Sequence, residues 1–298
     1  MNSNTHISTG FTLMEKVKAF FQLLKFRLSF IVTFSGSMAY ILASNTEIDY
    51  GRLMAFALGG FLVTGSANII NQLLEVKYDR LMKRTENRPL PTQMLSPKEA
   101  IIFCVIIGLL GLVIHFQING LTFLISLLSL LLYGFAYTPL KRVGPIAVLV
   151  GAFPGAFPPL IGWVAVTGSL DYMGWILFGI QFLWQFPHFW AIAWVAHEDY
   201  TRAGFKLLPS KGGRDLNTAF NIMIYTLFLI PASILPYMMG VTNRISTIVV
   251  IIAGLAFLTQ TFLLMKNCDR KSALQMMFGS FLYLPIVQIA FVLGKIEF

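Results

Sequence analysis

Nine stretches of mostly apolar residues alternate with polar segments along this chain, and each is long enough to cross the hydrocarbon core of a bilayer as a helix. They cover residues 24–44, 52–73, 100–116, 119–137, 144–166, 172–197, 219–239, 245–265 and 273–294. Only 12% of the residues are charged, which is about half the share in soluble domains. The sequence therefore predicts an all-α, polytopic protein of the lipid bilayer, with one transmembrane domain over residues 1–298. Residues 1–15 are polar and predict a mobile tail.

Lysine and arginine concentrate in alternate connecting segments. If the N-terminus is cytoplasmic, all of the 22 basic residues except Arg52, Arg244 and Lys295 lie on the cytoplasmic side. Cytoplasmic loops of membrane proteins carry such an excess. We therefore expect a multi-pass protein of the cell inner membrane, with a cytoplasmic N-terminus and an active site facing the cytoplasm. The net charge of +9 reflects this topology and argues against nucleic acid as a partner.

A long polar segment, about 74–99, follows the second apolar stretch and begins with a regular pattern of oxygen ligands. Asn71, Glu75 and Asp79 fall at i, i+4 and i+8, so a helix would carry them on one face. Such atoms suit Mg²⁺, which shares its coordination between protein and phosphate oxygens. Basic residues suited to a polyanion follow directly: Lys83, Arg84 and Arg88. The segment predicts a magnesium–diphosphate site; solvated carboxylates paired with neighbouring bases are the alternative.

A second polar element lies at the end of the fourth apolar stretch. One helical turn would bring the Tyr137 phenol and the Lys141 ammonium together, and Arg142 follows. Pro139 argues against a regular helix at this point. We expect these groups to contact the same diphosphate, whereas an interfacial tyrosine beside topology-setting bases is the alternative.

A second long polar segment, about 198–218, follows the sixth apolar stretch. Glu198, Asp199 and Tyr200 stand at its start, where they are placed to form the opposite wall of a metal–diphosphate site. His188 lies deeper, among aromatic residues, and His197 is shallower. Because an ionisable residue within a span is a functional candidate, we expect His188 to hold a ligand, move a proton or hydrogen-bond a carbonyl.

Prolines interrupt several of the predicted spans. Pro187 in the sixth, and Pro231 and Pro236 in the seventh, are predicted to bend or break their helices. The fifth span begins with GPIAVLVGAFPGAFPPLIGW, which predicts a kinked, closely packed helix. Packing or incidental roles are expected for the remaining candidates: Cys104, Cys268, His6 and His115.

Together these residues resemble the UbiA superfamily of intramembrane prenyltransferases, whose acidic pattern after the second of nine helices is Asn-x-x-x-Asp-x-x-x-Asp. Glu75 stands here in place of the first Asp. The heme-farnesylating branch of that superfamily is resembled by five segments: RTENRPLP (84–91), YTPLKR (137–142), GAFPGAFPPLIGW (151–163), QFPHFWAIAW (185–194) and DYTRAGFKLLP (199–209). The resemblance covers about residues 20–295 and departs from the branch at Lys206 and Leu207.

That resemblance implies a Mg²⁺-dependent enzyme that transfers the farnesyl group of farnesyl diphosphate to the 2-vinyl group of heme b, with addition of water. Mg²⁺ would be held by Asn71, Glu75, Asp79 and Asp199. The other catalytic candidates are Lys83, Arg84, Arg88, Tyr137, Lys141, Arg142 and Tyr200. Candidates for holding heme are His188, His197 and Arg202. Heme A synthase or the terminal oxidase assembly machinery is a candidate partner.

Two other functions fit the same pattern. Another UbiA-type prenyltransferase would share the diphosphate site but act on a quinone-precursor aromatic acid or a chlorin. A heme carrier or an anion transporter would also place ionisable groups in broken helices, although usually near the midplane of the membrane. The candidate acidic residues Glu75, Asp79, Glu198 and Asp199 lie at one membrane face, which favours an enzyme.

Overall fold

A computed structural model describes residues 11–44 and 47–296, and the described chain is built from helices. In chain order they are α1 Leu13–Leu23, α2 Phe26–Ala43, α3 Tyr50–Asp79, α4 Pro97–Ile118, α5 Gly120–Leu131, α6 Thr138–Leu140, α7 Ile146–Thr167, α8 Tyr172–Val195, α9 His197–Arg202, α10 Leu216–Met238, α11 Arg244–Asn267 and α12 Arg270–Leu293. A π-helical segment, Leu132–Tyr137, joins α5 to α6.

Nine helical units within the described residues are long and apolar enough to cross a membrane, as the sequence predicts. One of them combines α5, the π-helical segment and α6, while α1 and α9 are too short to span a bilayer. The segment 80–96 between α3 and α4 and the segment 196–215 between α8 and α10 touch each other. They therefore lie at the same end of the bundle, which we call the loop face.

Helix α3 is longer than its apolar stretch predicts. It runs for 30 residues and ends at Asp79, six residues beyond the predicted end of the span at residue 73. Hydropathy marks only the part of a helix that faces lipid, whereas the last turns of α3 are buried among polar neighbours. The extension puts Glu75 and Asp79 on the same rigid helix as Asn71.

The predicted mobile tail is partly wrong. Helix α1 begins at Leu13 with a capping box, in which the Thr12 side chain accepts from the Glu15 backbone and the Glu15 carboxylate accepts from the Thr12 backbone. This reciprocal pair satisfies two backbone donors that would otherwise lack partners. Residues 1–10 lie outside the described residues.

Pro187, Pro231 and Pro236 were predicted to bend or break their helices, and the helices run through all three without a break. Helix α7 shows how a membrane bundle tolerates them. Pro159 has no N–H to donate to the carbonyl of Gly155, and that oxygen instead accepts from Gln181 and Gln185 of α8, at 2.8 and 2.7 Å. Replacement donors from a neighbouring helix therefore keep α7 continuous.

Helices α2 and α7 pack backbone against backbone in the centre of the bundle. A Cβ atom on Gly162 would overlap the carbonyl oxygen of Gly36, so only glycine permits this approach. The α2–α7 pair divides the interior of the bundle into two sides. One side is lined by α3, α4 and α5, and the other by α8 and α12. Each side retains a cavity.

Candidate active site at the loop face

The C-terminal turns of α3 bring three oxygen-bearing side chains into the protein interior. Asn71, Glu75 and Asp79 are 2%, 4% and 0% exposed. They lie one turn apart on one helix face, as the sequence predicts. The alternative of solvated carboxylates paired with neighbouring bases is therefore wrong in one respect, because both carboxylates are buried. Burial of a carboxylate is costly unless it has a partner.

Each of these side chains faces a basic group from a different part of the chain. Nitrogen–oxygen distances are 3.3 Å for Lys25–Asn71, 2.8 Å for Lys141–Glu75 and 2.8 Å for Arg88–Asp79. The pairs combine the α1–α2 junction, the end of the fourth span and the loop after α3 around one helix face. The arrangement neutralises the buried carboxylates and concentrates positive charge beside them.

Lys141 keeps its charge in this buried setting. Burial acts to lower the pKa of Lys141, but the neighbouring Glu75 carboxylate opposes this and leaves the pKa above its usual value. Its Nζ also lies 4.8 Å from the centre of the Tyr137 ring, so the predicted Tyr–Lys approach occurs. The π-helical segment that ends at Tyr137 replaces the regular helix that Pro139 disfavours.

Lys25 is a site residue that sequence reasoning missed, since it was counted only among the bases that set topology. It has left-handed backbone geometry, with φ of 47°, at the corner between α1 and α2. Burial, followed by repulsion from Arg88 and Lys141, lowers the pKa of Lys25 to about 7. No local pattern distinguishes it from other lysines at span ends; only the fold brings it to Asn71.

Side chains of α3 hold the corner between α1 and α2 in place. Gln72 Nε2 donates to the carbonyl of Leu23 at 2.8 Å, and Asn68 Nδ2 donates to Ser29 Oγ at 3.1 Å. Asn71 itself donates from Nδ2 to Thr138 Oγ1 at 3.1 Å, which leaves its amide oxygen toward Lys25. Hydrogen bonds thus fix both the amide orientation and the position of the lysine.

The third predicted element meets the first across the loop face. The backbone N–H of Arg84 donates to Asp199 Oδ2 at 3.3 Å, and the Arg84 guanidinium lies 5.9 Å from the Tyr200 ring centre. Asp199 also pairs with Arg202. On the other side of the site, the Arg142 guanidinium lies 4.7 Å from the ring of Tyr78. Lys83 is exposed on the same loop.

The two predicted histidines are not part of this cluster. His188 faces α12, where Nδ1 lies 2.9 Å from Ser280 Oγ and the ring stacks on Trp184 at 4.2 Å. The ring also lies 5.8 Å from that of Phe189 and 5.3 Å from that of Phe281, so the predicted aromatic surroundings of His188 are present. His197 lies beside Gly213, and burial followed by the nearby Arg214 lowers its pKa.

The donor atoms fit Mg²⁺ in chemistry. Buried amide and carboxylate oxygens in one row are the ligands that this ion prefers, and it commonly completes its shell with water and phosphate oxygens. Among the described residues, no group of three or more His, Cys, Asp or Glu side chains converges closely enough to hold a metal alone.

Comparison with known proteins agrees with this architecture. The model of the UbiA prenyltransferase family matches residues 29–284. The protoheme IX farnesyltransferase of Cytophaga hutchinsonii is 53% identical over 95% of this chain and 100% of its own length. That of Flavobacterium psychrophilum is 42% identical over 93% of this chain and 94% of its own.

Solved structures share the fold. A digeranylgeranylglyceryl phosphate synthase superposes with a TM-score of 0.79 and 24% identity, over 96% of this chain and 100% of that protein. A UbiA homologue from Archaeoglobus fulgidus, bound to GPP and Mg²⁺, superposes with a TM-score of 0.65 and 17% identity, over 92% and 99%. The fold, the extent of the family match and the identity to these relatives lead to one conclusion: the chain belongs to the UbiA prenyltransferase family.

Proposed function

We propose that the protein transfers the farnesyl group of farnesyl diphosphate to the 2-vinyl group of heme b, with addition of water, to give heme O for terminal oxidases. The name and 53% identity of the Cytophaga hutchinsonii relative support this substrate pair. The observation that carries the proposal is the row Asn71, Glu75 and Asp79, each buried and each opposed by a basic group. Such a site suits an ionisable diphosphate with a bound cation.

The basic groups stabilise the leaving group. When diphosphate enters, Lys25, Lys141 and Arg88 can exchange carboxylate or amide oxygens for phosphate oxygens with small movements. Donors that are already positioned where negative charge develops are the most effective electrostatic catalysts. Lys83, Arg84, Arg142 and the Tyr137 phenol complete the basic surroundings in this proposal.

The proposed reaction also gives Mg²⁺ a role. Bound by Asn71, Glu75, Asp79 and Asp199 together with diphosphate oxygens, Mg²⁺ would act as a Lewis acid on the leaving group. Tyr200 would line the wall beside Asp199, where it already approaches Arg84.

The reaction balances without a covalent enzyme intermediate. The allylic C1–O bond breaks and its electron pair leaves with diphosphate. The vinyl π electrons of heme form the new bond to C1, and water adds to the resulting cation and loses a proton. The apolar interior around α2, α3, α5 and α7 protects the farnesyl cation from earlier capture by water.

In this proposal His188 orients heme on the side of the bundle that is lined by α8 and α12. The contact between His188 Nδ1 and Ser280 leaves Nε2 as the nitrogen for a heme contact. His197 and Arg202 lie nearer the loop face, where Arg202 would pair with a heme propionate. The excess of basic residues at that face supports a cytoplasmic location of the site. The proposal includes the inner membrane as the location and heme A synthase or oxidase assembly as a partner.

The direct test is to incubate purified protein in detergent with heme b, farnesyl diphosphate and Mg²⁺, and to identify the product by mass spectrometry. We expect a heme heavier by one farnesyl group plus water, and no product after chelation of Mg²⁺ until the ion is returned. Prenylation of another aromatic acceptor instead of heme would reject the acceptor, while absence of any transfer would favour a heme carrier.

A further inference from the structure

A cavity of about 50 Å³ lies in the bundle on the α3, α4 and α5 side of the close α2–α7 pair. A buried water needs roughly 10–15 Å³ on this measure, so the cavity has room for a group of several heavy atoms. Its lining includes Thr33, Phe56, Gly60, Thr64, His115 and Ser126. Nothing in the proposed chemistry at the loop face uses it.

The cavity lies on the same face of α3 as the proposed diphosphate ligands. At 100° per residue, Glu75, Asn71, Thr64 and Gly60 fall within a sector of about 60°. With a rise of 1.5 Å per residue, Thr64 lies about 10 Å and Gly60 about 16 Å below Asn71 along the helix. One uninterrupted helix therefore sets the distance between the reacting end of a prenyl diphosphate and this cavity.

This distance matches a chain of three isoprene units. Each unit adds four carbon–carbon bonds near 1.5 Å and extends the chain by about 5 Å, so three units reach about 15 Å. The last unit of a farnesyl chain whose C1 lies near Asn71 therefore ends between Thr64 and Gly60. A fourth unit would continue toward Phe56, about 22 Å below Asn71.

Phe56 and His115 line the cavity at that depth, and we call this pair its floor. The rings of Phe56 and His115 stack at 5.3 Å, and Phe56 also packs on Tyr40 at 5.5 Å. His115 Nδ1 lies 2.7 Å from Ser126 Oγ and Nε2 lies 3.1 Å from the carbonyl oxygen of Phe56. Because both ring nitrogens are occupied within the wall, the histidine cannot move aside without losing two hydrogen bonds.

Gly60 leaves the cavity open above this floor. A Cβ atom at Gly60 would lie 3.9 Å from both His115 and Thr33, which is ordinary contact, so a larger side chain would project into the cavity. At the adjacent Gly59, by contrast, a Cβ atom would collide with the His115 ring at 2.5 Å. Gly59 thus permits helix packing, whereas Gly60 provides volume.

We propose that this cavity receives the third isoprene unit of the prenyl donor, and that Gly60 with the Phe56–His115 floor sets the accepted chain length at fifteen carbons. The inference rests on the proposed prenyl transfer and adds the residues that select the donor. It makes Gly60 and Phe56 specificity residues that touch the tail and take no part in the chemistry.

The test compares donors of ten, fifteen and twenty carbons with heme b and Mg²⁺, for wild type, Gly60→Leu and Phe56→Ala. In Gly60→Leu, leucine fills the place of the third unit, so the turnover ratio of the ten- to the fifteen-carbon donor should rise at least about tenfold, as expected for a changed apolar pocket. Phe56→Ala should raise relative use of the twenty-carbon donor by a similar factor.

Gly179→Leu is the matched control, because Gly179 is also within a span and its Cβ atom would meet nothing within 4 Å. It should keep the wild-type order of donors. An unchanged order in Gly60→Leu would overturn the inference and leave the cavity to ordered water. Loss of all transfer by a folded Gly60→Leu would overturn it too, because a ten-carbon donor does not reach the cavity. Absence of transfer by wild type would instead reject the proposed function.

Discussion

Arg88 places Nη1 within 3.0 and 2.8 Å of the two carboxylate oxygens of Asp79, so one nitrogen bridges both. Asp79 is fully buried, and its counter-charge comes from a residue only nine positions later in the same loop. The proposed metal ligand is therefore neutralised locally before any cation arrives. Binding of a metal diphosphate would exchange one set of charge pairs for another, without first creating a bare buried charge.

This pairing allows catalysis and stability to be separated at Asp79. Asp79→Asn should lower turnover about 100- to 1000-fold, since a positioned electrostatic group at a reacting centre has effects of that size. It should also lower the melting temperature, because Arg88 loses its partner. Adding Arg88→Gln should recover much of the melting temperature and none of the turnover. Normal turnover of Asp79→Asn would contradict a ligand role.

Glu75 and Lys141 should behave as one buried ionic unit. Lys141→Met leaves the Glu75 carboxylate without its ammonium and should destabilise the protein by about 3–5 kcal/mol. The double variant Glu75→Gln with Lys141→Met should regain most of that loss and stay inactive. Thermal unfolding of wild type, Glu75→Gln, Lys141→Met and the double variant in detergent gives the coupling energy, and additive losses would contradict the pairing.

Lys25 should contribute to donor binding. Lys25→Met should weaken the binding of inorganic diphosphate, measured by calorimetry with Mg²⁺, by about tenfold or more, because a hydrogen bond to a charged group contributes about 1.5–3 kcal/mol. Lys18→Met is the control, since Lys18 is exposed on α1 and also lies in the N-terminal basic segment. Equal affinities of the two variants would remove Lys25 from the site.

Asp215 should make the start of α10 sensitive to acid. Its carboxylate accepts from the Thr218 backbone at 2.8 Å and from Ser210. Burial raises the pKa of Asp215, but these hydrogen bonds lower it further than burial raises it, so the pKa lies below 3.8. The stabilisation is therefore present above pH 3.8 and is lost as the pH falls through the lowered pKa.

The measurable consequence is that the loss of stability caused by Asp215→Ala depends on pH. Asp215→Ala should lose about 1 kcal/mol at neutral pH, as for other helix caps. The difference in melting temperature between wild type and Asp215→Ala should narrow below pH 4. Asp215→Asn keeps a capping oxygen without a charge, and should show a smaller loss at neutral pH.

The helices were predictable because a bilayer leaves few choices. A backbone in hydrocarbon must satisfy its own hydrogen bonds, so nine apolar stretches predict nine spans. Local propensity does not predict that α7 continues through Pro159, because the replacement donors Gln181 and Gln185 belong to another helix. Local sequence also could not give the end of α3 at Asp79, which depends on buried polar partners.

The site was predictable only in part. The spacing of Asn71, Glu75 and Asp79 predicts one helical face, and the structure has that face. The pairing of Asn71 with Lys25 and of Glu75 with Lys141 depends on tertiary packing across 46 and 66 positions of sequence and has no local pattern. His115 was passed over for the same reason, although it lines a cavity. The full ligand set stays a prediction.

The uninterrupted length of α3 makes it a ruler. One helical turn advances 5.4 Å, which is close to the roughly 5 Å length of one isoprene unit. Each turn of α3 therefore corresponds to about one unit of the prenyl chain. Moving a bulky side chain by one turn along the Gly60 face would then change the accepted donor by one whole unit. A prenyl transferase built on such a helix can change its preferred chain length through single substitutions, while the reacting end of the ruler stays untouched.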